Sequence, residues 1–535
     1  MAVPPKFRLR HVPCRAVLPL LPLVVLATCA PVGPNYEAPA PRWSLTSWLI
    51  GHPAPKPQPH QPPASTPTEA PIDPTWWSLF HDVELTTLES RVAANNLDVQ
   101  VASTRLRESR AALGVSEAAL YPTLEGSAAF SREHISQKGV LSLAGNSSSS
   151  VPAPNTGGAN AIPNTGETAI FSPFNLYQAG FDASWEIDFW GRTRRGVEAA
   201  TAAETEARES QRDVLLSALA EVARDYIQLR GVQRNIEITL RNRKSAEDSQ
   251  KLTQERATGG LTTDLDVANA AALVSTISAQ IPTLEAQRDD LIDAIAELLG
   301  QPPQTLNDEL ETTRPIPPVP PLVPVGLPSE LARRRPDIRR AEAQLHEATA
   351  DVGVAVADFY PNISLTGSVA LQTTQLGNLG GWGSNTWAFG PTLNLPIFEG
   401  GRLHRTLELR KQQQQEAAIT YHRTVLVALH EVNTALTDYA AEQRRREQLR
   451  VAVVQNGRAL SLAQDRYTEG VSDFLNVLDA QRNLLAAETQ FTDTTTAIAT
   501  DLVQLYKALG GGWEVALPDV PPPPEPKFSI DNLLE

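Results

Sequence analysis

Few residues in this 535-residue chain have the types and spacing for covalent or metal chemistry. Both cysteines, Cys14 and Cys29, lie within the first thirty residues. A disulfide framework, a cysteine-ligated zinc and a cysteine nucleophile are therefore excluded from the body of the chain. The nine histidines form no HExxH or other helical metal pair, and neither a GxSxG elbow nor a P-loop occurs. No catalytic constellation, metal site or cofactor is expected. What remains is one modifiable thiol. Cys29 closes Leu26-Ala27-Thr28-Cys29, behind an apolar run (16–30) and a basic stretch with Lys6, Arg8, Arg10 and Arg15 and no acid. That is the layout of a secretory signal peptide. Its last four residues resemble a bacterial lipobox, whose cysteine sulfur takes a diacylglycerol thioether and becomes the mature N-terminus. A chance cysteine beside an ordinary cleavage site is the alternative. Ala30, rather than Asp, follows the cysteine and leaves the outer membrane open as a destination.

Charge narrows the partners. Forty-six basic against 61 acidic residues give a net charge of −15, which argues against a nucleic-acid surface. Loss of the four leader cations deepens it to −19. The mature chain then holds no free thiol, as suits an oxidising periplasm.

Polar and glycine-containing segments recur along the chain. RATGGLTTDLDVANA (256–270) aligns with RYTEGVSDFLNVLDA (466–480) at an offset of 210: Arg256 with Arg466, Gly260 with Gly470, Leu265 with Leu475. A second pair of landmarks has an offset of 239: Leu97-Asp98-Val99 with Pro336-Asp337-Ile338, and Tyr121-Pro122 with Tyr360-Pro361. The change of offset requires a longer insert in the first copy, and the Ser/Asn/Gly/Pro-rich stretch 134–174 supplies it. The chain reads as a tandem duplication.

Each copy reads as helix, strand, strand, long helical pair. Phe181, Ala183, Trp185, Ile187 and Phe189 alternate with polar residues, as do Ile363, Leu365, Val369 and Leu371. Trp387, Phe389, Leu393, Leu395 and Ile397 share one face, and 124–131 alternate more weakly. This period of two fits a half-buried soluble strand or a membrane-barrel strand. Beyond the N-terminus no stretch of about 18 apolar residues is evident, so no bilayer-spanning helix is expected. Residues 198–253 and 397–517 contain no proline and are rich in helix formers. Gly259-Gly260 and Glu469-Gly470 supply the breaks that such lengths require. After the second break, Val471, Leu475, Leu478 and Leu485 suggest an apolar stripe. Thirteen prolines in 31–74 and ten in 302–336 mark a linker and a junction. The expected order is a leader (1–28), a lipidated Pro-rich linker (29–74), a first repeat (75–301), a junction (302–330), a second repeat (331–512) and a Pro-rich tail (513–535). Four strands cannot close a membrane barrel, for which eight is the usual minimum. Either they form a small soluble sheet or several chains pool them; three copies would give twelve strands.

The lipobox cysteine followed by VGPNY, the duplicated strand–strand–long-helix pattern and RYTEGVSDFLNVLDAQR (466–482) together resemble the outer-membrane factor (TolC-like) family, in its OprM/NodT-type lipoprotein branch. The resemblance covers about residues 75–512. It implies an α+β membrane protein: a homotrimer with a twelve-stranded β-barrel, a twelve-helix periplasmic α-barrel of coiled-coil helices, and an equatorial domain. On that reading 123–132, 180–190, 362–372 and 387–398 are the barrel strands, and 134–174 and 377–385 are extracellular loops. The Gly260 and Gly470 turns sit at a periplasmic tip that docks an adaptor (membrane fusion) protein and closes an iris. The implied function is an outer-membrane exit duct, passive and not an enzyme, served by an inner-membrane pump, of RND type in the family's usual pairing. Outer-membrane lipid is its other partner. Family members close the tip with an Asp ring and Tyr and Arg links. Asp264, Asp266, Asp473 and Asp479 are the matching carboxylates, and Arg256, Arg466 and Tyr467 the links. Asn476 and Ser472 depart from the family's Asp pattern, and the carboxylates also fit ordinary solvated or helix-starting acids. A lipid-anchored periplasmic coiled-coil adaptor or scaffold is the competing reading; it explains the helices and the anchor but not the alternating strands.

Overall fold

The computed structural model describes residues 30–38, 65–68, 70–134, 173–326 and 334–516. Cys29, the leader, most of the linker, most of the 134–174 insert and most of the tail lie outside the described residues. Two compact units are present. The first contains 30–36, 112–134, 173–200 and 349–412; the second contains the rest.

The first unit is built on a four-stranded antiparallel sheet in the order β2-β3-β5-β6. Its strands are β2 (Thr123–Glu133), β3 (Phe174–Glu186), β5 (Asn362–Thr373) and β6 (Asn385–Asn394). Two strands differ most from expectation. The second strand runs 174–186 rather than 180–190: after Ile187 the chain turns, Trp190 stacks on Tyr360 at 4.6 Å, and its indole N–H donates to the Pro361 carbonyl. The fourth strand ends at Asn394 rather than 398, before Pro396. Pro391 is accommodated inside β6 because β6 is an edge strand and needs no outward N–H.

The second unit is largely helical. Helices α1 (Val83–Asn95) and α2 (Leu97–Ala118) open the first repeat, and α6 (Pro336–Ala357) opens the second. Then come α3 (Arg192–Thr258), α4 (Asp264–Ser278) and α5 (Ile281–Leu298), matched by α7 (Arg402–Thr468) and α8 (Phe474–Leu509). The duplication is kept to the residue: α3 and α7 are each 67 residues long and are related by the offset of 210 at both ends. At about 1.5 Å per residue each measures roughly 100 Å along its axis. The return arm is broken in the first copy and continuous in the second. Pro282 lacks the N–H needed to extend a helix and sits at the first turn of α5. A capping contact is also duplicated. The Asn96 amide donates to the Leu298 carbonyl, and the Arg335 guanidinium donates to the Ala508 carbonyl. Each thereby satisfies the free end of its own repeat's return helix.

Residues from both repeats build the main core. Trp76 stacks on Tyr506 at 5.4 Å and donates to the Gly511 carbonyl; Phe80, Leu85, Tyr226, Ile295, Tyr439 and Leu502 are buried around them. A short parallel pair, β1 (Thr66–Thr68) with β4 (Leu322–Pro324), belongs to this unit. Against expectation, the stretch Asp264–Leu298 is long and apolar enough by composition to cross a bilayer. Its apolar residues have a different use: Leu273 and Ile277 pack in one core of the chain, and Ile292 and Ile295 in the other. Arg335, the last arginine of the run 333–335, is buried and paired with Asp337 and Glu431 at 2.7 Å.

Candidate functional site

The two glycine turns have the same construction. In the first, Gly260 N–H donates to Ala257 and Leu261 N–H to Arg256; in the second, Gly470 N–H donates to Tyr467 and Val471 N–H to Arg466. Both are Schellman closures with the glycine in the left-handed region, at φ 71° and 76°. The chain then restarts a helix at equivalent caps, Thr263 and Asp473. A strongly favoured stop and an immediate restart reverse a long helix within a few residues, which is what a tip requires.

All four long arms contribute to the core beneath these turns. Ala246 of α3, Leu273 and Ile277 of α4, Leu460 and Tyr467 of α7, and Phe474 and Val477 of α8 are buried together. Tyr467 meets Phe474 edge-on at 5.4 Å and donates its hydroxyl to Thr253 at 3.4 Å. Arg256 lies over the Tyr467 ring at 4.8 Å and donates to the Thr468 carbonyl at 2.9 Å. The end of the first long helix is thus held to the end of the second by one charged hydrogen bond and one cation–π contact. These are worth about 1–3 kcal/mol together. Farther along the arms, Asn235 pairs with Asp493, Asn242 and Arg241 pair with Glu488, and Gln481 pairs with Ser249.

The sequence-selected residues divide into three groups. Arg256 and Tyr467 come together, although through the ring face and not through a carboxylate. Asp266 is drawn into local capping: it accepts from the Thr262 and Thr263 hydroxyls at 2.5 and 3.3 Å, close to a capping-box arrangement. Asp264, Arg466, Asp473 and Asp479 are exposed, and their side chains make no ion pair or hydrogen bond among the described residues. The expected stripe holds in its second half only. Leu478 and Leu485 pack into this core beside Phe474, Val477 and Gln481, whereas Val471 and Leu475 project outward, as do their repeat equivalents Leu261 and Leu265. Phe474 begins the helix against Tyr467, and that contact sets which face turns inward. Thr253 and Phe474 were not singled out from the sequence. The T-x-x-D cap at Thr263–Asp266 was legible there.

The sheet carries the second functional surface. Directly opposed residues share a face. Register places Gly126, Phe181, Val369 and Trp387 in one row, Leu124, Ala183, Gly367 and Phe389 in the next, and Trp185, Leu365 and Pro391 in a third. Glu125, Asp182 and Ser368 form a row on the other face. A soluble half-buried sheet would cover its apolar face. Here Phe389 is 79% exposed, Trp387 68% and Phe181 60%, with the outer edges of β2 and β6 unpaired among the described residues. An uncovered aromatic face over a polar one is the pattern of a strand set meant for lipid on one side and water on the other.

The profile of the outer membrane efflux protein family matches residues 88–301 and 327–511. Among characterised relatives, the solvent efflux pump outer membrane protein SrpC of Pseudomonas putida is 31% identical over 504 residues, covering 93% of this chain and 98% of SrpC. The outer membrane protein OprJ of Pseudomonas aeruginosa is 32% identical over 517 residues, covering 94% and 97%. Among solved structures, the outer-membrane channel OprN superposes with a TM-score of 0.78 at 30% identity, covering 90% of this chain and 99% of OprN. With the duplicated strands, long helices and paired glycine turns all accounted for, this chain belongs to the outer membrane efflux protein family.

Proposed function

We propose that three copies of this chain assemble into one duct, pooling four strands each into a twelve-stranded barrel and their long helices into a periplasmic tunnel. The observation that carries this is the four-stranded sheet with an exposed aromatic face and two unpaired edges. Closure removes the edges, and lipid covers the aromatics. Cys29, once acylated, anchors the same assembly in the outer membrane. An inner-membrane pump of RND type and a periplasmic adaptor deliver cargo, which the duct conducts passively. The glycine turns form the adaptor-docking tip, with the outward Leu261, Leu265, Val471 and Leu475 available to a partner. Asp264, Asp473 and Asp479 are the free carboxylates that line or flank the aperture. The adaptor opens it by binding the open tip better than the closed one. Their role is tested by replacing Asp473 and Asp479 with Ala and recording conductance and cation block in bilayers; unchanged conductance in every respect counts against their lining the constriction. The assembly itself is tested by extracting the protein from outer-membrane fractions. A heat-sensitive trimer is expected, and a monomer that leaves the membrane once Cys29 is replaced would refute it.

A further inference from the structure

The second unit contains a groove of about 520 Å³ between α3, α5 and α8, separate from the glycine turns. Its wall includes a close approach of α3 to α8: a Cβ on Gly231 would run into the Thr496 side chain. The lining contains two carboxylates, Asp290 and Asp493, and no lysine, arginine or histidine. Neither carboxylate has an ion pair among the described residues; Asp493 accepts only from the neutral Asn235 amide, at 2.8 Å.

The hydrogen-bond polarity of the groove is one-sided. The Thr496 and Thr500 hydroxyls spend their protons on the Thr492 and Ala497 carbonyls and present lone pairs. Asn235 lines the groove, is 8% exposed, and points its amide N–H at Asp493; that leaves its Oδ1 buried with no partner among the described residues. The carboxylate fixes this orientation, because the flipped amide would set oxygen against oxygen. A buried acceptor without a donor is costly and calls for an explanation. Two negative charges, two hydroxyl acceptors and an orphan amide oxygen ask for a cationic donor. A bare metal ion does not suit them: no three acidic, histidine or cysteine groups among the described residues converge on a point. Val232, Leu291 and Ala497 give the same groove an apolar wall.

We propose that this groove binds an aliphatic ammonium compound, an alkylamine or linear polyamine, with its ammonium group on Asp290 and Asp493 and its methylene stem on Val232 and Leu291. The test is isothermal titration of the purified full-length protein in detergent with spermidine, butylamine and methylamine, and with magnesium as the control for charge alone. Spermidine is expected to bind more tightly than butylamine, and butylamine more tightly than methylamine. Asp290→Asn, which breaks no intramolecular bond, is expected to weaken spermidine at least fivefold; Asp290→Asn with Asp493→Asn is expected to abolish it. Asp98→Asn, an exposed acid elsewhere on the unit, is expected to leave affinity unchanged. The proposal is overturned if amines do not bind, if magnesium competes as well as spermidine, or if Asp98→Asn weakens binding as much as Asp290→Asn. The last two results would reduce the effect to the chain's net negative charge.

Discussion

Replacing Glu89 with leucine should stabilise the protein, by an amount that grows with pH. Glu89 lies on α1 between Leu85, Leu88 and Val92, is fully buried, and has no hydrogen-bond partner for either carboxyl oxygen among the described residues. Burial alone pushes its carboxyl well above the usual value of 4.5. The folded chain therefore holds this proton more tightly than the unfolded chain does. The contribution is fully present below pH 4.5 and is lost as pH rises through the folded value. As pH rises past 4.5 the unfolded chain releases this proton freely while the folded chain resists, so the penalty for folding around Glu89 grows with pH. The unpartnered oxygens add about 1–3 kcal/mol that does not depend on pH. Glu89→Leu removes both penalties and adds apolar surface to the core. The assay is the thermal midpoint of purified wild type and variant at a fixed scan rate, from pH 4.5 to 7.5. The variant should lead by about 1–3 kcal/mol equivalent at pH 4.5, with the lead widening as pH rises. A destabilised variant at pH 7, or a lead independent of pH, would refute a neutral, unpaired Glu89.

Other outcomes follow from single residues. Val369→Arg faces the aromatic side of β5 and should abolish the heat-sensitive trimer at about 2–4 kcal/mol per chain, whereas Ser368→Arg, one residue away on the polar face, should retain it on the same gel. Gly470→Ala places a side chain in the left-handed region, at about 1 kcal/mol; amide exchange across 466–473 should quicken about fivefold by mass spectrometry. Asp501 is raised to about 6 by burial first and then by Asp438 and Glu442. Its folded form favours the proton, so its contribution is present below the usual 3.8 and lost as pH rises through 6. Asp501→Asn should therefore raise the unfolding midpoint at pH 7.5 by about 1–2 kcal/mol equivalent, discounted for its partial exposure, and change little at pH 4.

The repeats were readable because duplication writes itself twice. The offset of 210 seen in a few glycines and leucines holds for the caps, closures and lengths of both long helices. The strands were readable by alternation, but their ends were not, since Trp190 and Pro396 stop them through contacts and turn geometry outside the pattern. The tip was half legible. Glycine requirements are local, so the turns were found; which side chains meet across two arms 210 residues apart depends on helix phase. Leu478 and Leu485 pack inward as their spacing suggested, but helix phase turns Val471 and Leu475 outward and puts Phe474 and Val477 in the core instead. The same limit hid Glu89, which in sequence looks like any acid on an amphipathic helix, and Arg335, which looks like one of a solvated run.

The account rests on a duct whose two repeats are latched at the tip, and single-channel conductance measures that directly. Arg256→Ser removes the bond to the Thr468 carbonyl and the cation over Tyr467 while leaving the sheet untouched. Loss of about 1.4 kcal/mol from a closed tip shifts the closed-to-open ratio about tenfold. In planar bilayers, wild-type trimers should show a small, mostly closed conductance, and Arg256→Ser trimers of equal heat stability should spend several times longer in a larger open state. Identical traces from the two proteins, or no pore from either, would contradict it.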